Sequence, residues 1–294
     1  MEISQEEYKE LNPLLFSLGY RLLGSVADTE DLVQETLLKA AQIDGKNIKN
    51  KKAYLCKVMT NSCLDHLKSA QHKKEQYVGP WNPEPIIVNQ GKFDSTLEVV
   101  LNKEGLSIAY LRLMENLTPH ERAVFLLREA FDFPYEEIAG VVNKNKDNCR
   151  KIFSRAKTKL STIQEESLNY ECNKSIVEQF VEAFQHQKTD ELLYLLSDEV
   201  ILYSDGGGKV KAAIRPIIAR TNVVRFVSGI VKKVPESFYY ELKNVNGQPG
   251  IVTYVDGNIH SVISFYIAGE EIKEIYMVLN PEKLKMSTNN LSTN

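Results

Sequence analysis

Tryptophan occurs once in these 294 residues, histidine five times and cysteine four times. No Cys-x-x-Cys pair and no Cys/His cluster with metal-ligand spacing is present, so a zinc ribbon, a zinc finger and a thioredoxin-type redox pair are excluded. Cys56 and Cys63 stand seven apart in a helical pattern and so share one face. Idle, reduced thiols are expected, with no metal and no cofactor. No apolar run approaches the ~20 residues that span a bilayer. Met1–Glu10 is polar and has no apolar signal core, so a cytoplasmic protein with no membrane partner is expected. No internal repeat is visible.

The chain has little excess charge. Its net charge is −3, yet base is concentrated in two stretches, Lys46–Lys74 and Lys144–Lys159. The second carries Lys144, Lys146, Arg150, Lys151, Arg155, Lys157 and Lys159 against the single acid Asp147. Local base in a mildly acidic chain points to a polyanion touched at two places.

Apolar spacing predicts helix over Asn12–Gln42, broken at Gly24-Ser25, with Asp28 or Thr29 as the second cap. Further helices are predicted over Asn50–Ala70 and Leu97–Leu113. Gly79, Pro80, Pro83 and Pro85 exclude regular structure from Tyr77–Gly91, which reads as a linker holding the only tryptophan, Trp81. Thr118, Pro119 and Glu121 form a capping-box start. Helices over Pro119–Phe131, Tyr135–Val142 and Lys146–Ile163 follow. After Cys172 come helices Ser175–Gln187 and Asp190–Leu196. Strands follow at Val200–Tyr203, Ser237–Val245, Gly250–Val255, Asn258–Ala268 and Ile272–Leu279, with turns at Asn246-Gly247 and Asp256-Gly257. An α+β domain with antiparallel strands is expected there.

Phe133–Lys159 has the form of a helix-turn-helix. Its second helix buries Cys149, Ile152, Phe153 and Ala156. It exposes Lys146, Asn148, Arg150, Lys151, Ser154, Arg155 and Lys157. Such a helix fits a DNA major groove, its first turn on base edges and its later bases on phosphates. The residues alone also admit a basic solvated helix in an ordinary bundle.

Taken together these segments resemble an extracytoplasmic-function (ECF) RNA polymerase sigma factor. Tyr20–Lys39, YRLLGSVADTEDLVQETLLK, resembles the helix pair of sigma region 2. The resemblance implies that Asp28, Glu30, Asp31, Gln34, Glu35 and Thr36 bind the clamp of the polymerase largest subunit. Lys52–Lys74 resembles the helix that captures the promoter −10 element, implying DNA contacts from Asn61, Asp65, His66, Lys68, Ser69, Lys73 and Lys74. Single-strand capture of this kind needs a positive groove. Leu117–Leu160 resembles region 4, which reads the −35 element and meets the polymerase flap. The two promoter elements lie ~75 Å apart by helical-turn spacing. The roughly 30 residues of Gln76–Gly105 reach ~100 Å if extended.

Three further motifs resemble those of the ECF41 (SigJ-like) family, whose members carry a fused C-terminal domain. They are YVGPWNPEP at Tyr77–Pro85, with Asn82 in place of the usual leucine, SDGGGK at Ser204–Lys209, and NPEKL at Asn280–Leu284, with Glu282 in place of Asp. The implied fold is multidomain: two all-α sigma domains (1–75 and 106–165), a linker (76–105), a SnoaL-like α+β domain (173–285) and a disordered tail (286–294). The resemblance implies intramolecular regulation through Trp81, Pro83, Asp205, Gly206, Gly207, Gly208, Lys209, Asn280, Pro281 and Lys283. SnoaL-like folds also include cyclases and isomerases, for which Asp205, His260 and His186 are the candidates, and ligand sensors. No catalytic residue is assigned.

Overall fold

In this computed structural model the described residues are all except 2, 45–47, 49, 76, 89–105, 161–168, 232–233 and 290–294. They form two compact units. The first comprises described residues up to Glu75 and Leu111–Leu160. The second comprises residues 77–88, 106–110 and 169–289.

The first unit is all helix. α1 (Gln5–Leu23) starts at a Ser4–Glu7 capping box and stops at Gly24, whose φ of 68° supplies the left-handed C-cap. α2 (Val26–Ala41) is capped by Ser25, whose Oγ accepts from the Asp28 N–H, not by Asp28 or Thr29 as expected. α3 (Lys51–Glu75) packs on both. Leu15, Leu18, Tyr20, Leu22, Leu55 and Met59 are the buried centre. At the α1 crossing, a Cβ added to Gly19 would lie 2.3 Å from Met59 Cε and 2.8 Å from Thr29 Cγ2. Gly19→Ala is therefore expected to overpack the centre and destabilise this unit by about 1–3 kcal/mol, read by urea titration.

α4 (Ile108–Met114) leads to α5 (Pro119–Glu129), α6 (Tyr135–Val142) and α7 (Lys146–Leu160). The Thr118–Glu121 capping box forms as the sequence predicts. Asn143, at φ 53°, turns α6 into α7. These helices do not stand apart from the first three: α1 and α3 touch α5, and α3 touches α6. Arg122 is buried at this seam. It donates to the Leu22 carbonyl at 2.5 Å and pairs with Glu115 at 2.8 Å.

The second unit is a seven-stranded sheet in the order β1-β4-β5-β6-β7-β2-β3. The strands are β1 (Ile87–Val88), β2 (Leu196–Asp205), β3 (Ile217–Ile218), β4 (Tyr239–Val245), β5 (Gln248–Val255), β6 (Asn258–Ala268) and β7 (Glu271–Val278). The sheet is mixed, because β2 runs parallel to β7; the all-antiparallel expectation fails at that pair. The β4–β5 and β5–β6 hairpins turn on Asn246-Gly247 and Asp256-Gly257, all four at positive φ, as the two-residue hairpin geometry requires.

One sheet face packs against α8 (Tyr170–Gln185), α9 (Thr189–Leu195) and α10 (Arg220–Val231), through Val177, Phe180, Leu192, Leu202, Val223 and Phe265 among others. The other face gathers Val245, Val252, Tyr254, Val262 and Val278 under Ile87 and Leu284. Leu284 lies on α11 (Pro281–Asn289). Two expectations are corrected here. Ile87–Val88 is a strand on the sheet edge, so the proline-rich segment is not free of regular structure. The helix α11 reaches Asn289, so the tail is not disordered from residue 286; residues 290–294 lie outside the description. Helix α10 and strand β3 were not foreseen at all.

Candidate regulatory and nucleic-acid interfaces

Asp205 ends β2 and is wholly buried. Its Oδ1 accepts from Tyr77 Oη at 2.6 Å. Its Oδ2 accepts from the Asn82 N–H and from Lys283 Nζ, each at 2.8 Å. Its carbonyl accepts from the Leu279 and Asn280 N–H groups at 2.8 and 3.0 Å. Lys283 is 7% exposed and also donates to the Asn82 carbonyl. Its ammonium lies 4.2 Å from the Trp81 ring centroid and 5.2 Å from that of Tyr77, which gives cation–π contact on both sides. Asn280 Nδ2 donates to Tyr77 Oη at 3.0 Å. Burial, then the Asp205 carboxylate, pushes the Tyr77 phenol well above its ordinary pKa, so Tyr77 stays a donor.

Close approach explains the glycines. A Cβ on Gly207 would sit 2.3 Å from Asn280 Nδ2, and one on Gly206 would meet the Val210 carbonyl at 2.7 Å. Gly208, at φ 71°, lies under Val78. The three separate sequence motifs are thus one polar cluster, buried where the strand ends of β2 and β7 meet the segment after Tyr77. Asn82 fits this setting as an amide. Wholly buried, it donates to the Met277 and Tyr203 carbonyls at 3.2 and 3.4 Å, which a leucine could not do.

The sequence assigned these residues to a regulatory interface, and the structure brings Trp81, Asp205, Gly207, Asn280 and Lys283 together. Pro83 is buried, while Pro281 and Lys209 are exposed and Lys209 pairs with Glu282 at 3.1 Å. Asp205 does not present its carboxylate to an outside surface; it is the internal anchor of the cluster.

Asn246 was read only as a turn residue, yet it clamps two distant segments. Its Oδ1 accepts from the Ile86 N–H at 2.8 Å, and its own N–H donates to the Ile86 carbonyl at 2.9 Å. Its Nδ2 donates to the Leu106 carbonyl at 3.1 Å. One buried side chain thus holds the chain on both flanks of residues 89–105. Nothing in an Asn-Gly dipeptide signals that second task.

In the first unit, Asp28, Glu30, Asp31, Gln34 and Glu35 lie at least partly exposed on α2. Thr36 does not join them. It is wholly buried, with Oγ1 donating to Met59 Sδ at 3.6 Å, because it falls on the inward face one position after Glu35. Asp28 pairs with His66 of α3 at 3.5 Å. Asn61 and His66 are half-buried, and Asp65, Lys68 and Ser69 are exposed. The side chains of Lys73 and Lys74 lie outside the described residues.

On α7, Cys149, Ile152 and Ala156 face inward. Phe153 is half-buried and stacks on Phe125 at 5.8 Å. Arg150, Lys151, Ser154, Arg155 and Lys157 are exposed, while Lys146 and Asn148 are partly covered. Several bases already have acidic neighbours: Lys146 with Glu136, Arg150 with Asp147 at 3.3 Å, and Lys157 with Glu129 at 3.4 Å. Exposed pairs of this kind contribute little to stability and are readily exchanged for phosphate. Lys151 and Arg155 carry no ion pair among the described residues.

Among the described residues no helix is long and apolar enough to cross a membrane. Of the enzyme candidates, His186 is exposed at the α8 C-cap and His260 is exposed on β6. Asp205 has its carboxylate committed as described.

The comparisons agree with this arrangement. Sigma-70 region 2 matches residues 8–73, and sigma-70 region 4 matches residues 107–160. The ECF RNA polymerase sigma factor SigJ of Mycobacterium tuberculosis is 30% identical, with 96% of this chain and 93% of the relative covered. The probable ECF RNA polymerase sigma factor SigI of the same species is 26% identical over 92% and 91%. The crystal structure of M. tuberculosis SigJ superposes with a TM-score of 0.80 at 28% identity, covering 97% of this chain and 99% of that one. Helix bundle, helix-turn-helix and fused sheet unit therefore recur together in a full-length relative, and the chain belongs to the ECF RNA polymerase sigma factors.

Proposed function

We propose that this protein directs RNA polymerase core to specific promoters and that its own sheet unit controls this by holding the inter-domain connection shut. The observation that carries the reading is the Asn246 clamp. The Ile86 nitrogen and the Leu106 oxygen each lie about 3 Å from one carboxamide, so the two flanks of residues 89–105 are held close together. The Asp205 cluster pins the preceding residues, Tyr77 to Asn82, to the same unit. With both flanks held, the connection cannot extend toward the ~75 Å that separates the promoter elements.

The first unit is consistent with this closed state. Region 2 helices α1 and α3 touch region 4 helices α5 and α6, so the −10 and −35 contacts are not spread for simultaneous use. Release of the clamp frees the chain to open, and polymerase and promoter then select the open form. In that form α2 docks on the polymerase clamp through Asp28, Glu30, Asp31, Gln34 and Glu35. Asn61, Asp65, His66, Lys68, Ser69, Lys73 and Lys74 take the −10 strand. Lys146, Asn148, Arg150, Lys151, Ser154, Arg155 and Lys157 take the −35 duplex. A catalytic reading has no support from Asp205, whose acceptor positions are filled.

Two measurements test this. In-vitro transcription with core polymerase is expected to give more promoter-dependent product from a chain ending after Leu160 than from the full chain; equal output and equal core affinity contradict the regulatory part. Lys151→Ala and Arg155→Ala are each expected to weaken −35 duplex binding. The slope of log K against log salt should fall by about one for each phosphate contact removed. An unchanged slope would leave α7 as a solvated helix.

A further inference from the structure

The sheet unit encloses a cavity of about 620 Å³, within the range of about 300–1,000 Å³ typical of small-molecule sites. Its walls are mainly apolar, from Phe180 and Phe184 on α8, Phe226 and Ile230 on α10, Phe238, and Ile263 on β6. Polar atoms are few. Ser204, Thr253 and Ser261 lie along one wall, and the Thr253 and Ser261 hydroxyls satisfy each other at 2.7 Å. Ser204 is 1% exposed, and its Oγ has no hydrogen-bond partner among the described residues. A buried, unpaired hydroxyl facing an apolar cavity is costly unless something bonds to it. Lys211 and His260, both exposed, also line the cavity and so mark its solvent side. Among the described residues no carboxylate lines it.

The cavity lies behind the regulatory cluster. Side chains alternate along β2 and β7, so Ser204, Met277 and Leu279 face the cavity while Asp205 and Asn280 join the cluster on the opposite side. The coupling is direct. The Met277 carbonyl accepts from Asn82, and the Leu279 N–H donates to the Asp205 carbonyl.

We propose that this cavity binds an amphiphilic carboxylic acid of the fatty-acid class, with its carboxylate at Lys211 and His260 and its chain inside, and that binding strengthens docking of Tyr77–Pro85. The charge at the mouth selects the anion, and the apolar walls select the chain. A chain packed against Met277 and Leu279 orders the two strand ends that carry the cluster, so the ligand favours the closed form. The regulatory half of this inference rests on the proposed function above; the binding half does not.

The test uses the full-length chain. cis-Parinaric acid is titrated by its own fluorescence and displaced with oleate, then with oleyl alcohol. Saturable parinarate binding is expected, with oleate displacing better than the alcohol. Lys211→Ala should weaken oleate by about tenfold, as loss of a charge-assisted contact does. Val227→Phe, which fills the cavity, should abolish binding. Trp81 is the only tryptophan, so with oleate alone its acrylamide quenching reports docking and is expected to fall. Absence of parinarate binding in the folded wild-type chain overturns the site. Displacement by alcohol as well as by oleate overturns the carboxylate class. Binding with unchanged or increased quenching overturns the coupling. Transcription of the Asp205→Ala chain without ligand reads the proposed function separately: if it equals wild type while oleate still binds, that reading fails and the site stands.

Discussion

Asp205→Ala is expected to destabilise the sheet unit by about 3–5 kcal/mol, the cost of removing one member of a buried ion pair. Lys283 loses the Asp205 carboxylate, and Tyr77 Oη and the Asn82 N–H lose their acceptors. The clean form of the experiment is a cycle. Lys283→Met alone strips the charge but leaves Asp205 buried with two donors, and the double variant Asp205→Ala, Lys283→Met removes both charges. The double variant should be markedly less destabilised than the sum of the singles, because it removes both charges whereas each single variant leaves one buried ion without its counter-charge. Urea unfolding gives the energies, and the red shift of Trp81 emission gives undocking. Additive energies, or an unmoved Trp81 spectrum in Asp205→Ala, would show that this ion pair does not hold the segment.

The cluster was half legible in the sequence. The three motifs could be quoted, and glycines after Asp205 could be read as a place of close approach. What they approach could not be read. Asp205, Asn82 and Lys283 are separated by 123 and 78 positions, and only the parallel β2–β7 pairing brings the strand ends together. Parallel partners have no hairpin between them to announce the pairing, so local pattern predicted an antiparallel domain. The proline-rich segment was misread for a related reason. Prolines exclude a helix, but Ile86 and Ile87 after them are an ordinary edge-strand start, buried at 4% and 5%. Thr36 shows the limit of motif matching: it sits within a run of exposed docking residues, but its position on α2 turns it inward. By contrast, the Thr118–Glu121 capping box, the two hairpin turns and the helix-turn-helix depend on near neighbours alone, and each forms where the sequence put it.

Asn246→Gly is expected to have the largest effect on conformation. Glycine keeps the positive φ of 53° that the hairpin needs and deletes only the carboxamide. The buried Ile86 N–H loses its acceptor and the Leu106 carbonyl its donor, at about 1–3 kcal/mol for an unsatisfied group. That is a modest loss for the sheet: Ile86 keeps the bond from the backbone N–H of residue 246, and the Leu106 flank is released. Promoter-dependent transcription should rise while the unfolding midpoint falls only slightly. Asn246→Ala should be worse for stability, because alanine is strained at that φ, and no better for transcription.

The most direct test is the separation of the two DNA-binding halves. Spin labels placed at Glu10→Cys on α1 and Thr158→Cys on α7, in a Cys172→Ser background, report it by pulsed electron resonance. Cys172 is the exposed native thiol; Cys56, Cys63 and Cys149 are buried, and burial pushes all three thiols up, that of Cys56 to about 12, so they resist labelling. The account predicts one short, narrow distance distribution in the full-length chain. Asn246→Gly should add a long component, which dominates when core polymerase and promoter are present. Identical distributions for wild type and Asn246→Gly, or a long distance in the wild-type chain alone, would contradict it.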